Sequence, residues 1–154
     1  MGRGENMGLI GGTLTRPPLQ TGGAARVRRV ERGLIILVAL HSLAVGAVLS
    51  LFPRFSLAFA GFDAATPAFF PRQAGVFHLV LAFGYLQEHF RRGEVSLLLF
   101  AKGAATVFLL ALAAASDVPW AVPVSGAADG LMGAAVWSVH RLGRSGGALR
   151  ETSL

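Results

Sequence analysis

The chain has no cysteine and a single tyrosine, and only 14% of its 154 residues are charged. Without cysteine there is no disulfide scaffold, no zinc-thiolate site and no iron–sulfur centre. A soluble domain of this size carries about a quarter charged residues, so this chain has too few to coat a globule. Lysine is nearly absent as well: of the 14 basic residues, all but Lys102 are arginine. What is present is apolar. Residues of that kind make up 53% of the chain and come in blocks, which excludes a disordered tail protein. The pI near 11.5 suggests nucleic acid, but the low charge density argues against such a partner.

Four apolar stretches, at about 34–52, 72–87, 95–116 and 118–140, approach or exceed the roughly 20 residues a helix needs to cross a bilayer. The second is short and carries His78. Lys102 interrupts the third, and the fourth contains Pro119, Pro123 and Asp129. Unpaired backbone groups are too costly in lipid for anything but helices at these lengths, and the alternating short segments of a β-barrel are absent. The expected fold is all-α, a polytopic four-transmembrane-helix bundle over residues 34–140. Residues 1–33 read as a mobile basic tail and 141–154 as a second one. A cleaved signal peptide within residues 1–50 is the alternative, although its apolar part would exceed the usual length of about 7–15 residues.

Charge sets the orientation. Six basic and two acidic side chains lie in residues 1–33, three and one in 141–154, and five of each in 34–140. The +6 excess therefore sits in the tails. By the positive-inside rule both termini are cytoplasmic, with an even number of crossings. The bias to arginine over lysine suggests a high-GC bacterial source, and so a bacterial inner membrane. Anionic lipid is the expected neighbour of the tails.

The first outer loop is rich in phenylalanine. Phe52, Phe55, Phe59 and Phe62 fall at helical spacing, with Phe69 and Phe70 close behind and Pro53 suited to a first helical position. The pattern predicts a short interfacial helix, or alternatively a lid over the bundle.

Ionisable groups inside a membrane helix default to functional candidates with a partner. At 1.5 Å per residue, His41, His78, Lys102 and Asp129 lie about 12, 15, 12 and 16 Å from the cytoplasmic ends of their helices. One layer thus receives a group from each helix. His78, Tyr85 and His89 share a face of the second span, and Ser125, Asp129, Gly133 and His140 share one of the fourth. Lys102 and Asp129 are the expected pair, either fixing register alone or serving ligand or proton chemistry. In a chain that otherwise uses arginine, the lysine suggests a need for a compact point charge. No cofactor is expected as the main reading. Haem b held by His41 and His78 is the option to weigh, and no metal site is expected without a second carboxylate or a cysteine. The Gly126/Gly130 spacing allows close helix contact and suggests a seam for a homodimer.

Pro71-Arg72-Gln73-Ala74-Gly75, Phe83-Gly84-Tyr85-Leu86, Ala101-Lys102-Gly103 and Asp129-Gly130-Leu131 occur in that order. This series resembles the DoxX-like superfamily of small four-helix bacterial membrane proteins, over about residues 34–140. The family pattern has Gly before the intramembrane Lys and Asp, where this chain has Ala101 and Ala128. The resemblance implies a four-helix bundle and, for the namesake members, association with quinone-linked sulfur oxidation.

The expected function is a non-catalytic membrane subunit that binds a quinone- or lipid-like ligand beside a redox partner. His41, His78, Tyr85, Lys102 and Asp129 would supply the polar contacts, and Arg72 would orient an anionic headgroup. A structural or assembly subunit of a membrane complex is the alternative, and a proton-coupled carrier a weaker one. No nucleophile setting, phosphate loop or metal motif points to catalysis by the chain alone.

Overall fold

In the computed structural model, residues 22–63 and 67–151 are described, and every regular element among them is helical. The elements are α1 (Gly22–Leu51), α2 (Pro53–Ala60), α3 (Phe69–Arg92), α4 (Ser96–Ala115) and α5 (Ala121–Glu151). The four long helices and the short Phe-rich one fall where the apolar pattern placed them, but their ends differ from it.

Helix α1 begins at Gly22, so residues 22–33 are helix rather than mobile tail. Residues 1–21 lie outside the described part. Ala25, Arg26, Arg28, Arg29 and Glu31 favour helix, and these added turns pack on α5. A Cβ built at Gly143 would lie 3.5 Å from Val27, and Glu31 Oε1 is 2.6 Å from His140 Nδ1. Likewise α5 continues to Glu151, through most of the segment expected as the second tail. Arg26, Arg28, Arg29, Arg32, Arg91, Arg92, Arg141 and Arg144 are exposed at this basic end of the molecule.

The breaks between helices have local causes. Pro53 opens α2 at its first position, and Gly61 closes it at φ 83°. Gly93 ends α3 at φ 68°, a left-handed conformation that suits glycine. Pro71 and Pro123 sit in the first turns of α3 and α5, where no intrahelical N–H bond is lost. The free amides at the start of α4 are capped from α3. The Glu88 carboxylate accepts from Ser96 Oγ at 2.6 Å and from Leu97 N–H at 2.9 Å.

The long helices form two antiparallel hairpins, α1 with α3 and α4 with α5, which meet along α1 and α5. Helix α3 touches α4 little, with Leu97 against Gly84 as one such contact. The apolar core is Ile35 and Val38 of α1, Tyr85 of α3, Val95, Leu98 of α4 and Val136 of α5. Most remaining large apolar side chains face outward, among them Leu37, Phe77, Phe83, Phe100, Val107 and Leu131. Two stretches, Ala25–Leu51 and Ser96–Ala115, are long and apolar enough to cross a membrane, and only 28% and 11% of their most apolar windows is buried.

Helix α2 lies across the end opposite the basic one. Its buried side is Pro53, Ser56 and Leu57, and Ser56 Oγ donates to the Phe52 carbonyl at 2.9 Å. The phenylalanine stripe faces outward: Phe55 and Phe59 stack at 6.2 Å. Phe59 also meets Trp120 edge-on at 5.6 Å, so α2 reaches from α1 to the turn between α4 and α5. It is therefore both an outward apolar strip and a strap across this end.

Candidate functional site

Lys102 lies one turn and a half inside α4, and its side chain is 5% exposed. Its Nζ donates to Asp129 Oδ1 of α5 at 2.5 Å, and the aspartate side chain is 15% exposed. The approach of the two helices is set by glycine. A Cβ on Gly130 would lie 3.1 Å from Thr106 Cγ2, one on Gly126 3.0 Å from Leu109 Cβ, and one on Gly133 3.4 Å from Lys102 Cβ. The small-residue stripe on either side of Asp129 is thus what lets the ammonium and carboxylate meet. It also corrects an expectation: the Gly126/Gly130 face is filled by α4 of the same chain and is not open as a seam for a second copy. Thr106 Oγ1 donates to the Lys102 carbonyl at 2.7 Å, which steadies that turn.

The other candidates gather around the pair to different degrees. Tyr85 is 2% exposed, belongs to the core cluster, and lies within range of the Asp129 charge. His78 is half-buried, and its Nδ1–H donates to the Ala74 carbonyl at 2.9 Å, which leaves Nε2 for another partner. His41 lies near Lys102, Asp129 and His78, but its side chain is exposed. The buried polar group that α1 places inward is Ser42, 1% exposed. The pair expected between the third and fourth spans is thus present, with Tyr85 and His41 near it. His41 itself lies on the exposed side of α1, because Ile35, Val38, Ala39 and Ser42 already fill the buried side.

Arg72 does not join the layer. It stands exposed in the first turn of α3 and lines a separate cavity at the α2 end. Nor do the two histidines frame a porphyrin slot. A Cβ on Gly46 would fall 2.8 Å from the Gly75 carbonyl oxygen, and these glycines lie roughly 5–8 Å along their helices from His78 and His41. Helices in backbone contact at that distance leave no room for a haem between them, so haem b is not carried further. Among the described residues, no three His, Asp or Glu groups converge as a metal ion would require.

Sequence reasoning missed three features. Glu31 pairs with His140 and ties α1 to α5, and its signal was the one acid within the run of arginines from 26 to 32. Glu88 caps α4, a role with no fixed spacing when the cap comes from another helix. The Gly46–Gly75 crossing joins helices far apart in sequence, and a lone glycine in each does not announce a partner. Comparison of the chain with family models, with curated proteins and with solved structures gives no match.

Proposed function

We propose that the chain is a DoxX-like, four-span membrane protein that binds a quinone- or lipid-like ligand as a non-catalytic subunit beside a membrane redox partner. In this reading α1, α3, α4 and α5 cross the bacterial inner membrane, and the basic end carrying both tails faces the cytoplasm. Supporting it are the outward-facing apolar surface, the two helices apolar enough to span, and the clustering of arginine at one end. A monomer exposing this much apolar surface to water would aggregate. The absence of cysteine makes topology directly testable, because single cysteines introduced at Ser116 and Ser145 have no background. The two should label from opposite sides of sealed membranes; labelling from one side contradicts four spans.

The observation that carries the ligand reading is the Lys102–Asp129 pair with Tyr85 and His41 near it, and His78 near His41. The donor set suits a carbonyl-bearing ligand: an ammonium with donors beyond the one given to Asp129, and an imidazole Nε2 not used within its own helix. A bound quinone would supply redox chemistry, and the chain's own part would be to hold and orient its carbonyl. The test is mass spectrometry of small molecules retained by protein purified from its membrane. Lys102→Met and Asp129→Asn should lose the retained molecule, and unchanged retention in both removes the basis of the reading.

A structural role has one observation in its favour. Two surface cavities among the described residues, one lined by Gly84, Glu88, Arg91 and Arg92 and the other by Phe52, Arg54, Phe55 and Arg72, lie apart from the pair and include neither Lys102 nor Asp129. In that case both variants lower folded yield, and nothing specific is lost from the folded fraction.

A further inference from the structure

The end opposite the basic one holds few charges, yet two of its arginines share a wall. Arg54 of α2 and Arg72 of α3 line one cavity of about 310 Å³, together with Leu51, Phe52, Pro53 and Phe55. That volume is at the lower bound for small-molecule pockets, roughly 300 Å³. Its lining joins two guanidinium groups to apolar side chains, the combination that suits a molecule with an anionic head and a hydrocarbon tail.

The cavity forms where three helices meet. The cavity residues from α2 are its N-cap and first turn, and those from α3 are its N-cap, Ala68, and first turn. Neither helix has a side-chain cap or an acidic residue in its first turn. The starts of α2 and α3 thus border the cavity beside the end of α1 at Leu51, and the two guanidinium groups supply its charge. The acids at this end of the described chain, Asp63 and Asp117, lie in loops and are not part of the lining.

We propose that this cavity binds the anionic headgroup of an amphiphile, a phosphate or carboxylate carried on an acyl chain. Arg54 and Arg72 hold the anion in fork geometry, and Leu51, Phe52 and Phe55 take the first part of the chain. The site uses neither Lys102 nor Asp129, so it stands or falls separately from the ligand reading above. It also gives the outward phenylalanines of α2 a function beyond anchoring, as the wall along which a lipid chain enters.

The experiment is native mass spectrometry of the full chain in detergent, offered phosphatidylglycerol and phosphatidylcholine in equal amounts. Phosphatidylglycerol should be retained over phosphatidylcholine by about tenfold, the scale of one charge-assisted contact. Arg54→Gln/Arg72→Gln should abolish the preference, with helicity by circular dichroism unchanged. Arg91→Gln/Arg92→Gln, in the cavity at the basic end, should leave it intact. The proposal is overturned by an undiminished preference in the first double variant, or by an equal loss in the second, which would mean general attraction of charge. If the first double variant loses helicity, the single Arg→Gln variants decide, and full preference in both overturns the site. Glycerol 3-phosphate distinguishes a lipid from a free anion: it should not displace the lipid at equal concentration, and displacement would overturn the amphiphile.

Discussion

The two hairpins solve the same packing problem with different materials. Between α1 and α3 the contact is backbone on backbone: Gly46 and Gly75 cross closely beside Ser50, with no charged residue at the crossing. Between α4 and α5 the glycines Gly126, Gly130 and Gly133 face side chains instead, and a buried ion pair is added in their midst. Both seams close tightly. The first shows that uncharged residues suffice to join two helices of this chain, so packing does not require a lysine and an aspartate in the second. A buried pair is, moreover, weak evidence of stabilisation, because desolvation offsets much of the attraction. The difference between the seams is thus the physical ground for giving Lys102 and Asp129 a role beyond holding helices together.

That contrast can be broken from either side. The largest effect is expected from Lys102→Met, which leaves Asp129 buried without its partner and should cost about 3–5 kcal/mol. The thermal unfolding midpoint in detergent reads it. Next comes Gly75→Ala in the uncharged seam. Its Cβ would fall 2.7 Å from the Gly46 carbonyl oxygen, which is backbone and cannot turn aside. A loss of about 1–3 kcal/mol follows, together with weaker α1–α3 association. Gly130→Ala should be milder, about 1 kcal/mol at the low end of overpacking, because its Cβ meets the Thr106 side chain at 3.1 Å. If Gly130→Ala proves as damaging as Gly75→Ala, the two seams are equally rigid and the comparison loses its force. The smallest effect concerns how the hairpins are joined to each other. Phe59→Ala removes the edge-on contact with Trp120, at roughly 0.5 kcal/mol, the low end for an aromatic pair because Phe59 is largely exposed. It should also shift the Trp120 fluorescence toward the red, while Trp137, which stacks on Arg141, reports no change.

Element existence was legible in the sequence because long apolar blocks and proline positions are local signals. Pro53 before the phenylalanine stripe was enough to place α2, and the stripe does face outward. The ends of α1 and α5 were not legible. Arginine and glycine at residues 22–33 read as a tail by composition, yet Val27 and Glu31 find partners on α5 more than a hundred positions away. Of the candidate site, the Lys102–Asp129 pair could be read because the short turn between α4 and α5 fixes which depths face each other. His41 was counted into the layer by depth, and its side chain lies on the exposed side of α1. Depth follows from counting residues, whereas the direction of a side chain depends on how α1 is rotated against two neighbours at once. Arg72 was singled out as a headgroup ligand, but its companion Arg54 was not, because only the fold brings the first turns of α2 and α3 to one cavity.

The central claim is that the buried pair serves a ligand and that the fold can do without it. Lys102→Met/Asp129→Leu removes both charges together, which avoids the cost of leaving one unpaired. The direct measurement is binding of a short-tailed quinone to this double variant, compared with the parent chain at matched folded yield. The account predicts a double variant that folds and unfolds as the parent does but no longer binds. A double variant that binds as the parent does, or a loss of folding that tracks the loss of binding, would contradict it.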